Sequence, residues 1–159
     1  MIRVWNVMEA VASAILASGD VQSICAPYKA GLSVLLGYSG EAHLCGDGDG
    51  PVVSILGSDQ PVDLGYSGEA TRDVPVVLRW RVFDKSAHVD GDVTRYIAAQ
   101  TAHELGDAMI DAIRGITGLG DELKQAQVII DASEWPDVTG EANLVFALSR
   151  GLAMEPEVT

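Results

Sequence analysis

The residues in this chain that could carry chemistry are few and badly matched to one another. His103-Glu104-Leu105-Gly106-Asp107 begins like the helix of a zinc hydrolase, in which two histidines one turn apart hold the metal beside a glutamate base. Asp107 stands where the second histidine belongs, so the run reads as the solvated face of an acidic helix. His43 and Cys45 supply two soft ligands with no further cysteine pair to complete four. Gly46-Asp47-Gly48-Asp49-Gly50 alternates oxygen donors with glycine as calcium loops do. It lacks the third aspartate and the distant bidentate glutamate, and reads as a turn. The same glycines have no preceding strand and no lysine for a phosphate cradle. Gly37-Tyr38-Ser39-Gly40 and Gly65-Tyr66-Ser67-Gly68 are each one residue short of a nucleophile elbow. The expectation is no catalytic residue, no metal and no cofactor.

Composition narrows the remaining classes. The chain has 159 residues, the length of one domain, with 48% hydrophobic and 21% charged residues, enough apolar content to form a core. Its 23 acidic and 10 basic residues leave a formal charge of -13, which repels phosphate and anionic lipid. Two cysteines allow at most one bridge, so a reducing compartment is expected. No segment has the roughly 18 apolar residues that span a bilayer, and the N-terminal stretch lacks the unbroken apolar run of a signal peptide.

The elements follow from periodicity. Val4, Val7, Met8, Val11, Ala14 and Ile15 share one helical face ending near Ser18 and Gly19. Asp20 is expected to cap a short turn that Pro27 stops. Residues 26–50 read as an irregular loop, Pro51 to Gly57 as the first strand, and 58–73 as a second loop. Val74 to Phe83 alternates, with Val76, Leu78, Trp80 and Val82 on a core face and Val77, Arg79, Arg81 and Phe83 on the other. Two arginines on that second face imply water or a partner's carboxylates, because unpaired buried charge is costly. Asp92 is a candidate N-cap for a helix from Val93 to about Arg114, about 33 Å long at 1.5 Å per residue, ended by Gly115 and Gly118. Gln127 to Ala132 and Ala142 to Arg150 read as strands of a hairpin joined through Ser133 to Gly140, and residues 153–159 as a frayed tail.

These elements predict a single α+β domain over residues 1–152, an antiparallel sheet of about four strands packed against a long helix and an N-terminal helix. One repeat stands out. Leu-Gly-Tyr-Ser-Gly-Glu-Ala occurs at Leu36 to Ala42 and at Leu64 to Ala70, each copy followed by Pro-Val-Val, at Pro51 to Val53 and Pro75 to Val77. A duplicated loop-plus-strand segment fits, with Tyr38 and Tyr66 either paired contacts on neighbouring loops or turn residues copied with their strand.

The layout resembles the tail terminator and tail completion proteins of long-tailed bacteriophages. The resemblance lies in the amphipathic first helix, Pro51-Val52-Val53-Ser54-Ile55, and Val76-Val77-Leu78-Arg79-Trp80-Arg81-Val82-Phe83. It continues with Asp92-Val93 opening the helix, and Val128-Ile129-Ile130 paired with Leu144-Val145-Phe146-Ala147-Leu148. It covers roughly Pro51 to Leu152 and is one of order and hydrophobic pattern; the duplicated segment departs from it. It implies a non-enzymatic virion protein at the tail-to-head junction, assembled in the host cytoplasm into a ring, usually a hexamer. Such a ring ends growth of the tail tube, docks the head connector, and lets DNA pass without specific binding. Arg79 and Arg81 are the expected subunit contacts, along with the polar side of the long helix. The paired loops of Tyr38 and Tyr66 are the expected contacts to tube or connector, and Glu69 is a further expected interface residue. Another neck protein such as a head-completion stopper, or a small ligand-binding or metal-dependent α+β domain, would share the composition.

Overall fold

The computed structural model describes residues 4–37, 49–57 and 71–149, without the side chains of Thr71, Arg72 and Ser149. Two helices open it. Helix α1 (Val4–Ala17) buries Val7, Met8, Val11 and Ile15 of the stripe expected from the three- and four-residue spacing, and leaves Val4 and Ala14 half-buried. Helix α2 (Gly19–Cys25) follows after one residue. Its cap is Ser18, whose hydroxyl accepts from the Val21 amide at 3.2 Å, and Asp20 sits inside the first turn instead of capping it.

Strand β1 (Ser33–Leu36) lies within the stretch expected to be irregular, and β2 (Val52–Gly57) runs parallel to it. Then come β3 (Thr71–Phe83), β4 (Ala87–Asp90), β5 (Val93–Tyr96) and helix α3 (Ile97–Arg114). After a 3-10 turn at Gly120–Glu122, β6 (Leu123–Asp131) and β7 (Asp137–Ser149) close the chain as a hairpin with a cis Trp135–Pro136 peptide. The main sheet has the order β1-β2-β3-β7-β6, and β4 with β5 forms a separate two-stranded ribbon.

The α+β class holds, but the sheet is five-stranded and mixed where an antiparallel sheet of about four was expected. The long helix is also shorter than its pattern implied. Val93 to Tyr96 belongs to β5, and α3 has 18 residues, or about 27 Å. Asp92 is therefore a turn residue, and Tyr96 stands at the N-cap position without a capping side-chain bond. The second loop ends earlier than expected because β3 begins at Thr71; β6 begins earlier than expected, at Leu123, and β7 begins at Asp137, within the expected connection. The tail and the second copy of the repeat heptapeptide lie outside the described residues.

All three helices lie on one face of the sheet. The inward residues of β3 and β7 (Val74, Val76, Leu78, Trp80 and Val82; Val138, Ala142, Leu144, Phe146 and Leu148) meet Leu105, Met109 and Ile113 of α3 and the α1 stripe in one core. Trp80 is its centrepiece. The indole is 2% exposed and its Nε1 donates to the Ala102 carbonyl at 2.9 Å. It fits because two glycines make room for it: an ideal Cβ would lie 2.8 Å from its ring at Gly106 and 2.1 Å at Gly140. Gly106 in mid-helix sacrifices about 1 kcal/mol of helix propensity to admit that ring.

The two Pro-Val-Val copies are not in equivalent places. Pro51 precedes β2 and Val53 faces the core, whereas Pro75 lies inside β3 and it is Val76, one residue earlier in the tripeptide, that faces inward. A one-residue offset reverses the faces of a strand, so the repeated sequence is used in opposite phase.

Candidate interaction surfaces

The outer face of the sheet has no helix on it among the described residues. The registers place Val52, Arg81, Thr139 and Asp131 in one row across β2, β3, β7 and β6. Ser54, Arg79, Glu141 and Ile129 form the next row, and Leu56, Val77, Asn143 and Gln127 the third. Arg79 and Arg81 are thus on the predicted face, and they bound a shallow depression of about 420 Å³.

Their carboxylates, however, come from their own chain. Arg79 Nε donates to Glu141 Oε1 at 3.0 Å, and Arg81 Nε lies 3.0 Å from Asp137 Oδ1 as an ion pair not aligned as a hydrogen bond. β7 pairs with β3 in the register that sets Glu141 opposite Arg79, so acids of the same chain meet the arginines on a face still open to water. Both partners of the Arg79–Glu141 pair keep substantial exposure, so solvent screens their attraction. A double-mutant cycle with Arg79→Ala and Glu141→Ala is expected to give a coupling of about 0.2–1 kcal/mol in urea denaturation. A larger value would mean the face is more desolvated than it stands here.

Tyr38, Tyr66 and Glu69 lie outside the described residues, as do His43 and Cys45. The described end of the first repeat copy is Leu36-Gly37, where Gly37 takes φ +82 beneath the Trp5 ring. His103, Glu104 and Asp107 are exposed on α3, and Glu104 accepts from Gln100 Nε2 at 3.0 Å. Among the described residues, no three His, Cys, Asp or Glu side chains converge as a metal site, and no helix is long and apolar enough to cross a membrane. The Cys25 thiol is buried, which pushes its pKa up to about 11 and makes it a poor nucleophile at neutral pH.

One polar cluster escaped the sequence reading. Tyr28, after α2, donates its hydroxyl to Asp84 Oδ2 at 2.9 Å and takes a hydrogen bond from the Thr101 hydroxyl at 3.2 Å, tying α2, the end of β3 and α3 together. Burial pushes the Tyr28 pKa up to about 12, so it stays a phenol throughout the working range. An open groove of about 780 Å³ runs beside it, taking in Lys29, Lys85 and Glu104. Burial raises the Asp84 carboxyl, but hydrogen bonds from the Ser86 hydroxyl and amide and from Tyr28 outweigh it, leaving the pKa below 3.8.

Two outcomes follow from this cluster. Tyr28→Phe is expected to lose about 0.5–1.5 kcal/mol of stability, measured by urea denaturation, since it removes both bonds of the hydroxyl. Because the folded-state pKa of Asp84 is depressed, its contribution is complete above pH 3.8 and disappears as pH falls through the lower folded value. Asp84→Asn should accordingly flatten the acid limb of the stability curve and leave its slope near neutrality unchanged.

Comparison with known proteins adds no family assignment: no protein-family model matches the chain, and no curated protein matches it significantly.

Proposed function

We propose that the chain is a structural virion protein that assembles as a ring on the end of a phage tail tube, stops tube polymerisation and presents a docking face to the head connector. The observation that carries this reading is the amount of sheet surface a lone copy leaves unfinished. One whole face of a five-stranded sheet is without a helical layer among the described residues, and a second, two-stranded sheet stands apart with all eight residues exposed. Open sheet faces and edges are what small proteins of this kind complete by oligomerising. The order of the main elements supports the same reading, since a helix, the strands around Ile55 and Trp80, helix α3 and the final hairpin follow one another as in tail terminators. The formal charge of -13 suits a channel through which DNA slides without adhesion.

On this reading the partners are other copies of the chain, the tail-tube protein and the head connector, and the site of action is the tail-to-head junction. A phage deleted for this chain is expected to make tails of excessive and irregular length that fail to join heads, seen by electron microscopy, with normal particles restored when the chain is supplied in trans. Infectious particles with tails of normal length in its absence would reject the proposal.

A further inference from the structure

The sequence contains three aspartyl-glycine pairs, at Asp47-Gly48, Asp49-Gly50 and Asp90-Gly91. Such pairs can rearrange, because a glycine has no side chain to shield its amide from the carboxyl of the residue before it. The last two fall among the described residues, and the fold treats them oppositely. Gly50 is buried, and an ideal Cβ on it would lie 1.4 Å from the Gly31 carbonyl oxygen, so the backbone there has no room to turn. Gly91 is exposed at φ +62, with nothing among the described residues within 4 Å of its Cβ position. No backbone hydrogen bond among those residues holds its amide.

Asp90 closes the turn. It ends β4 opposite Val93, the first residue of β5, and its side chain is 72% exposed. Arg95 Nη1 lies 3.5 Å from its Oδ2, a pair too exposed to hold it firmly. All eight residues of the β4–β5 ribbon are exposed. Isolated two-stranded hairpins are marginal in water, so this ribbon opens locally at small cost while the main sheet stays closed. Opening frees the Asp90 backbone from its extended angles and lets its carboxyl carbon approach the Gly91 nitrogen.

We propose that Asp90-Gly91 is a site of spontaneous isoaspartate formation. The Gly91 amide nitrogen attacks Cγ of the Asp90 carboxyl, forming an N–Cγ bond and a five-membered succinimide. The Cγ–OH bond breaks, and the hydroxyl leaves with the amide proton as one water molecule. A second water then adds to either carbonyl of the ring. Opening at Cγ restores aspartate. Opening at the former backbone carbonyl leaves the chain running through Cβ and Cγ, with the original carbonyl carbon now a free α-carboxylate. One water leaves and one enters, so no other reactant is required and the mass is unchanged.

The product adds one carbon to the main chain at the end of a two-residue turn. That turn sets the register of Ala87 with Tyr96, His88 with Arg95 and Val89 with Thr94, so the ladder loses its spacing. The main sheet shares no strand with the ribbon and is left intact.

Heavy-oxygen water tests the site, because each passage through the succinimide replaces one carboxyl oxygen with one from solvent. The full-length chain is incubated folded and in urea, digested, and mapped by mass spectrometry with fragmentation that assigns the label to single residues. An isoaspartate methyltransferase reports the free α-carboxylate. In the folded chain, label and isoaspartate are expected at Asp90 at least about tenfold faster than at Asp49, the ratio given by a difference of about 1.4 kcal/mol in local opening. In urea the two should react at similar rates. Equal rates in the folded chain, or faster reaction at Asp49, would overturn the proposal. After incubation, hydrogen exchange should show the ribbon amides losing protection, with the β3–β7 ladder unchanged. Asp90→Glu keeps the charge but would have to close a six-membered ring, so the treated variant should retain its ribbon. Loss of ribbon protection in that variant too, or retained protection in chains carrying isoaspartate, would overturn the structural consequence.

Discussion

Trp80→Ala is expected to lower the free energy of unfolding by about 3–5 kcal/mol, the range for removing a large aromatic from a packed core. Domains of this kind have only about 5–15 kcal/mol in total, so a loss of that size should shift the urea midpoint strongly. The indole fills the space between β7 and α3, touches the sites where Gly140 and Gly106 lack a Cβ, and holds its hydrogen bond to Ala102. The converse change makes the same point. Gly140→Ala places a methyl 2.1 Å from a ring atom that cannot move aside in a closed core, at a cost of about 1–3 kcal/mol. Trp80→Leu should relieve most of that clash, giving strong non-additivity in a double-mutant cycle. Additive losses would mean that the ring and the glycine are not in contact.

Gly50→Ala should be nearly as damaging, and its effect should be confined to one end of the sheet. An ideal Cβ at Gly50 would fall 1.4 Å from the Gly31 carbonyl oxygen, a backbone atom that no change of rotamer can clear. Gly31 holds φ +69 there, and the two glycines together bring the start of β1 against the start of β2, where the Ser33 amide donates to the Pro51 carbonyl at 3.0 Å. The variant is expected to lose about 1–3 kcal/mol. Hydrogen exchange should show the amides of Ser33 and Gly37 losing protection, with the β3–β7 ladder unaffected. Global loss of protection would show that β1 is part of the cooperative core and not an added edge.

Period-two and helical patterns were legible wherever one face of an element is buried along its whole length. Val76, Leu78, Trp80 and Val82, the Leu144-Phe146-Leu148 set, and Val7, Met8, Val11 and Ile15 of α1 lie in the core as their spacing implies. What failed were short elements whose partners are distant or exposed. Strand β1 is four residues of Ser-Val-Leu-Leu among turn formers, and it exists through parallel pairing with β2, which local pattern cannot reveal. The ribbon was misread because Asp92 before an apolar residue looks like an N-cap. Yet Gly91 at φ +62, between His88-Val89 and Val93-Thr94-Arg95-Tyr96, marks a two-residue hairpin turn, and the β-branched and aromatic residues after it favoured strand. The arginines illustrate a different limit. Alternation placed Arg79 and Arg81 on the outer face, but which acids would meet them depended on the β3–β7 register. Alternation likewise could not show the exposure of Val128 and Ile129, which follows from the place of β6 at the end of the strand order among the described residues.

The proposed function is tested most directly by adding the purified chain to polymerising tail-tube protein encoded in the same genome. Electron microscopy should then show tubes of arrested length, each bearing a ring of this chain at one end, while tubes grown without it continue to lengthen. Tubes of unaltered length with bare ends, at chain concentrations above that of the growing ends, would contradict the account.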